Sequence, residues 1–510
     1  MTRSGAMHPG RRVLLQGVGA LTCAPWLLRH GRAASATRFE LGVASGQPRT
    51  DTVVLWTRLT GHDLPDRVEV SWEIADDEAF TRTVAHGVEI AEREWAHSVH
   101  AEPSGLAPGR WYWYRFTALS ERSRTGRTRT APSPDAATTL DFAIGSCQRF
   151  EAGHYAAWRH VAEEDLDLVV FLGDYIYEYP SRAGGVRRTE GGLVTTLPQY
   201  RARYATYKRD PLLQAAHARV PWLVVWDDHE VGNDYANLHG QRLEPDFAAQ
   251  RAAAYQAYWE HMPFAKAARP LGADMRITGR LDWGRLARIH LLDDRQYRDP
   301  QACPKPGRGG SNVVSLAECP ELLDPKRTLL GAAQERWLAE GWDTRRSWNL
   351  VAQQTLMARF SWRDPARGGV YWTDGWDGYA PARNRLLGVV AERAVPGVVV
   401  LGGDVHTNYV ADLKADYDDP KSPVVATEFC GTSISSGSSL TQDRLDLGRA
   451  INPHVRYARV DQRGYVRFRL DGKRLEAQLR VVDDPLDAAS GITTAARFSV
   501  DARRPGAETG

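Results

Sequence analysis

The chain has 510 residues, with 65 Lys and Arg against 63 Asp and Glu, and five cysteines. That length suits two to four domains, and 43% hydrophobic with 25% charged residues excludes a disordered or fibrous chain. A formal charge of +2 excludes a nucleic-acid binder that works through an overall positive field, and five cysteines are too few for a disulfide scaffold.

Residues 1–36 read as an export signal. Arg11-Arg12 opens an apolar run, Val13-Leu14-Leu15, which continues from Val18 to Leu28 without an acidic residue, and Ala34-Ser35-Ala36 supplies a small-residue cleavage pattern. Paired arginines before a moderately apolar stretch with Gln16, Gly17 and Gly19 are of the twin-arginine kind, with an ordinary Sec signal as the alternative. The expected location is periplasmic or secreted, and the expected export partner is the twin-arginine machinery. No transmembrane segment is expected, because the run is shorter than the roughly 20 residues a span needs. Twin-arginine export carries proteins already folded around a cofactor, which makes a metal or organic cofactor the expectation for the rest. Loss of the five leader arginines turns +2 into −3.

Residues 37–133 read as a small all-β, immunoglobulin- or fibronectin-like sandwich. Val53–Trp56 is a buried strand, Val68–Ile74 alternates at period 2, and Trp111–Phe116 is an aromatic strand entered through Ala107-Pro108-Gly109. Ala131-Pro132-Ser133-Pro134-Asp135 is the expected linker. From 136 to 496 the pattern is α/β. Continuous apolar strands at Leu140–Ile144, Leu168–Leu172, Trp222–Trp226, Ala287–Leu292 and Gly397–Leu401 alternate with helical stretches, plainest at Gln250–His261 and Ala332–Gly341. Tyr465–Val482 reads as a hairpin around Asp471-Gly472, and 497–510 as a polar, mobile tail.

The chemistry stands at the strand ends, where open α/β sheets bind ligands. In order they carry Ser146-Cys147-Gln148, Gly173-Asp174-Tyr175-Ile176-Tyr177, Asp227-Asp228-His229-Glu230, Asp293-Asp294-Arg295-Gln296-Tyr297 and Gly403-Asp404-Val405-His406. Each has a bland reading alone: Cys147 as core, Asp174 as a turn residue, Asp227-Asp228 as helix caps, Arg295 as a carboxylate partner. Together they suit metals. Asp174 and Asp404 are hard oxygen donors, His406 an imidazole, Cys147 a thiolate, and Tyr177 a phenolate suited to a ferric ion. Two cations about 3.5–4 Å apart activate a hydroxide and clamp phosphoryl oxygens. His229 beside them suits protonation of a leaving oxygen.

The ordered set S-C-Q, G-D-Y-I-Y, W-D-D-H-E, D-D-R-Q-Y and G-G-D-V-H resembles the alkaline phosphatase D (PhoD) family. Leu41–Pro48 and Val54–Leu59 resemble that family's N-terminal β domain, with Gln47 where the family commonly has Asp. The resemblance implies a metallophosphoesterase-type β-sandwich flanked by helices. Its site layout is also similar to purple acid phosphatases, and by that similarity Cys147, Asp174, Tyr177 and His406 hold iron and Asp174 bridges. Asp228 and Asp404 then face the other metal, where oxygen ligands favour calcium. His229 matches the leaving-group histidine, and Asn233 and Arg295 are candidates to grip phosphate oxygens.

The implied function is a secreted phosphoesterase that hydrolyses phosphomonoesters and phosphodiesters, small or polymeric, by metal-activated hydroxide. Phospholipase D-like hydrolysis and a non-catalytic surface-binding protein are the alternatives. A nuclease would want a basic groove, and no Lys/Arg cluster with interleaved aromatics stands out, so no sequence-specific nucleic acid is expected. Trp376–Tyr379 adds to the expected cleft, and Pro300–Pro325 is either a cover or a surface insertion. Cys303 and Cys319 flank a loop rich in Gly and Pro and are a candidate disulfide pair, bridged or free, and Cys430 reads as a buried free thiol.

Overall fold

Alternation along the central strands decides the layering. In Val398–Gly402, Val399 and Leu401 join one core while Val398 and Val400 join another on the opposite face. In Trp348–Ala352, Leu350 and Ala352 join the first core and Val351 the second. Strands buried on both faces carry continuous apolar runs, and each fully buried Val or Leu contributes about 1.5–3 kcal/mol. The computed structural model describes residues 38–510; the expected leader lies outside the described residues.

Two sheets result. One has ten strands in the order Arg504–Thr509, Ile492–Asp501, Arg474–Val482, Gly464–Leu470, Leu140–Gly145, Leu168–Phe171, Trp222–Val224, Val43–Gly46, Val54–Arg58 and Ser98–Ala101. The other has seven, with Ala287–Leu291, Trp348–Ala352, Val398–Gly402 and Val424–Cys430 parallel at its centre. Their inner faces share the first core, where Phe429 of one sheet meets Phe468 of the other with ring centres 5.3 Å apart. The second core packs Leu338, Leu387 and Val390 of the helices Gly331–Gly341 and Ala380–Glu392 against the outer face of the smaller sheet. This is the expected sandwich flanked by helices.

The N-terminal region departs from a free-standing domain. Arg67–Ala75, Thr83–Glu92 and Trp111–Ala118 lie in a separate five-stranded antiparallel sheet. Val43–Gly46, Val54–Arg58 and Ser98–Ala101 instead extend the ten-stranded sheet, because Gly46 pairs in parallel with Trp222. A Cβ at Gly46 would lie 2.7 Å from the Trp222 carbonyl oxygen, so only glycine lets the two backbones meet here. The expected linker therefore does not separate independent bodies.

The expected tail is a strand. Ile492–Asp501 and Arg504–Thr509 form the edge hairpin of the larger sheet, with Phe498 and Val500 in the core. Gly506 N donates to Thr427 Oγ1 and Ala507 N to Asp412 Oδ1, which ties this edge to the smaller sheet. Its polar composition is that of an edge strand whose outward charges discourage further pairing.

Cys303 and Cys319 are bridged, and Cys147 and Cys430 are buried and free. Closing a loop of this size contributes about 3 kcal/mol. The bridged loop carries Val313–Val314, which pairs with Tyr371–Trp372. Among the described residues no helix is long and apolar enough to cross a membrane.

Candidate metal centre at the strand ends

The parallel strands Leu140–Gly145, Leu168–Phe171 and Trp222–Val224 end side by side, and so do the parallel strands of the smaller sheet. The residues that follow turn sharply. Cys147, Asp174, Asp404 and His406 all adopt left-handed backbone, at φ 58, 58, 64 and 52°. Such conformations cost about 1–3 kcal/mol each and persist where the surroundings over-determine them. Gly173, at φ 105°, permits the turn into Asp174; a Cβ there would lie 2.5 Å from Asp227 N and Cβ.

Ligand atoms of Cys147, Asp174 and His406 lie within 4.8 Å of one another. Tyr177 joins them: its hydroxyl donates to Asp174 Oδ2 at 2.8 Å and lies 3.1 Å from His406 Nε2. Ser436 Oγ is 2.8 Å from Tyr177 Oη, and His406 Nδ1 is 2.8 Å from the Gly437 carbonyl oxygen. That carbonyl accepts from Nδ1–H and so turns Nε2 toward the cluster, as outer partners of metal-ligating histidines do. A second group joins Asp174 to Asp228 and His229, again within 4.8 Å, so Asp174 belongs to both.

The electrostatics fit a cation. Burial pushes the Cys147 thiol, the Asp174 carboxyl and the Tyr177 phenol well above their ordinary ranges, and the neighbouring acids push the thiol and the phenol further. Burial draws His406 down to about 4, which keeps its imidazole neutral. Asp174 Oδ1 and Asp228 Oδ1 are buried without a hydrogen-bond partner. Buried polar atoms rarely stay unpaired, and a multiply charged cation replaces the protons that burial favours on such ligands.

His229 is oriented from behind. Its Nδ1 lies 2.6 Å from Glu178 Oε2, while Glu178 Oε1 accepts from Asn233 N at 2.8 Å. Burial opposes its charge, but Glu178, Asp228 and Asp174 outweigh that and raise it well above the usual histidine range. His229, Asn233, Tyr177 and His406 line a cleft of about 620 Å³, together with Arg149 and Arg182.

Two expected residues sit differently. Asp404 lies outside both ligand groups; its Oδ2 accepts from Thr355 Oγ1 at 2.7 Å and is 3.9 Å from Arg295 Nη2. Arg295 is fully buried and does not line the cleft. Its Nε donates to Asp227 Oδ1 at 2.5 Å and Nη1 to Asp374 Oδ2 at 2.8 Å, while Nη2 lies 3.8 Å from Asp228 Oδ2. Two carboxylates thus bond the guanidinium, and its remaining nitrogen, buried without a hydrogen-bond partner, faces Asp228 and Asp404 rather than the cleft lining.

Sequence reasoning missed several supports. Glu230 accepts from the backbone N–H of Asp174, Tyr175 and Asp227, tying two strand-end loops together. Glu178 follows Tyr177 directly, and adjacency to a ligand motif was its one available signal. Asp228, Asp234 and Asp374 form a third acidic group within 4.8 Å. Asp234 Oδ2 there already accepts from Gln241 and Ser311, and Asp374 from Arg295 and Gln301. Asp374 follows Arg295 by 79 residues, too far for spacing to reveal.

Comparisons with known proteins place the chain in a family. The family model described as PhoD-like phosphatase matches residues 142–479, and its N-terminal domain model matches 24–132. Alkaline phosphatase D of Bacillus subtilis (strain 168) is 42% identical over 482 residues, covering 91% of this chain and 81% of that one. A solved structure of PhoD superposes with a TM-score of 0.88 at 40% identity, over 93% of this chain and 92% of that one. The purple acid phosphatase PPD1 from yellow lupin (Lupinus luteus) seeds shares the fold alone, with a TM-score of 0.57 at 12% identity over 91% and 74% of the two chains. The chain belongs to the PhoD-like phosphatase family and is a phosphoesterase.

Proposed function

We propose that this phosphoesterase hydrolyses both phosphomonoesters and phosphodiesters outside the cytoplasm. Iron is held by Cys147, Asp174, Tyr177 and His406, and calcium by Asp174, Asp228 and Asp404. The observation that carries the reading is Asp174: buried, in left-handed backbone, shared by two ligand groups, with an unpaired Oδ1. A thiolate–phenolate–imidazole–carboxylate set suits iron, and an all-carboxylate set suits calcium. When bound, such cations supply Lewis acidity for water and phosphate oxygens.

The chain's own groups do the rest. Glu178 fixes the His229 ring so that its other nitrogen is free for the leaving oxygen. Asn233, beside His229 on the cleft wall, is placed to meet phosphate oxygens. Arg295 holds Asp227 and Asp374 and stands between Asp228 and Asp404, which makes it a positioning residue. The Cys303–Cys319 bridge supports an oxidising compartment, in line with the export signal read in residues 1–36.

The test is turnover of p-nitrophenyl phosphate and its bis ester before and after chelation. Chelator-sensitive hydrolysis of both is expected. Absence of chelator-sensitive turnover on either ester would sink the reading.

A further inference from the structure

A second cavity, of about 350 Å³, adjoins the cleft that carries His229. The two share His406, Ser438 and Ser439 as lining. Of the two, Asp404 lines only the second cavity and His229 only the first, and both reach His406. Its other walls are aromatic and aliphatic, chiefly Phe360, Trp362, Trp372, Trp376 and Leu440.

These walls are preset. Trp376 Nε1 donates to Gln353 Oε1 at 3.0 Å, and Phe360 meets Trp362 edge-on at 4.9 Å between ring centres. Trp372 lies on the short strand paired with Val313, inside the loop that the Cys303–Cys319 bridge closes. Two polar members of the lining are committed elsewhere, while the exposed Arg444 stands at its rim with its guanidinium 5.2 Å from the Trp362 ring centre. Asp377 accepts from Phe360 N and Arg383, and Thr407 Oγ1 donates to the Val405 carbonyl. A flat apolar group would find stacking surface on these aromatic walls.

We propose that this cavity is the subsite for the retained ester group of a phosphodiester, and that it selects a flat apolar group. The inference rests on the phosphodiesterase reading above. With phosphate at the metal-facing residues and the leaving oxygen toward His229, the remaining substituent of a diester points into the aromatic cavity. A monoester has no such substituent and leaves the cavity empty.

Three substrates with one leaving group test this on the full metal-loaded chain: phenyl p-nitrophenyl phosphate, methyl p-nitrophenyl phosphate and p-nitrophenyl phosphate. The expected kcat/KM is higher for the phenyl than for the methyl diester by at least the roughly 10-fold that a single methylene is worth in a hydrophobic pocket. Trp372→Ala should bring that ratio close to one. Leu440→Trp, which adds bulk to the same cavity, should also collapse it, and serves if Trp372→Ala does not fold. Equal kcat/KM for the two diesters in the unaltered chain, or an unchanged ratio in a folded variant, overturns the subsite. Turnover of the monoester alone overturns the diesterase reading and the subsite with it. Hydrolysis of none of the three fails the phosphoesterase chemistry itself.

Discussion

Two buried clusters of ionisable groups lie side by side at the strand ends, and they are built differently. Around Arg295 opposite charges meet: Asp227 and Asp374 accept from the guanidinium at 2.5 and 2.8 Å, leaving Nη2 and Asp227 Oδ2 without a hydrogen-bond partner, and Glu230 accepts three backbone N–H groups nearby. Around Asp174 the carboxyl, thiol and phenol crowd together with no described lysine or arginine side chain bonded to them, and the one group drawn toward positive charge in the adjoining set is His229. Two carboxylate oxygens there lack partners, and three of the ligands have left-handed backbone. Burial alone does not mark a site, since both clusters are buried. Nor do unpaired atoms alone, since Asp227 Oδ2 and Arg295 Nη2 are also buried without a partner; acidic ligands gathered on strained backbone, with no guanidinium bonded among them, distinguish the cluster that needs an external cation from the one that is scaffold.

The sharpest way to break that distinction is Asp174→Asn. It removes the shared ligand, so metal content and activity should fall together. The fall should exceed the roughly 10–100-fold that loss of an outer-shell partner costs. An active, metal-replete variant would contradict the contrast. His229→Ala comes next. Metal should remain, measured by elemental analysis, while kcat for poor leaving groups falls by roughly 10²–10⁴-fold.

Arg295→Met probes the scaffold side. Asp227 and Asp374 would stay buried without their cation, and stability should fall by about 3–5 kcal/mol in urea denaturation. A loss below about 1 kcal/mol would show that the paired cluster is not what holds these loops. Ser436→Ala should do least. It removes the Ser436 Oγ contacts to Tyr177 Oη, the Cys147 carbonyl and Arg149 N, each worth about 1 kcal/mol, and the change in bound metal should appear in its spectrum rather than in turnover.

Much of this was legible in the sequence because strand ends are local. Cys147, Asp174, Tyr177, Asp228, His229, Asp404 and His406 each follow an apolar run, so sheet topology alone brings their loops together. Arg295 was legible as a strand-end residue but not as a buried one, because its partners Asp227 and Asp374 lie 68 and 79 residues away. Ser436 and Gly437 reach the cluster from a loop with no motif of its own. The edge strand Arg504–Thr509 looked like a tail because its pairing partners, not its composition, make it a strand. Val43–Gly46 looked like a piece of a separate domain because nothing local announces that Gly46 admits Trp222.

Metal content of the purified full chain, read together with its visible spectrum, tests the central claim most directly. Iron and calcium should both be present, with a visible tyrosinate-to-ferric band that disappears in Tyr177→Phe. A colourless protein carrying zinc alone would contradict the assignment.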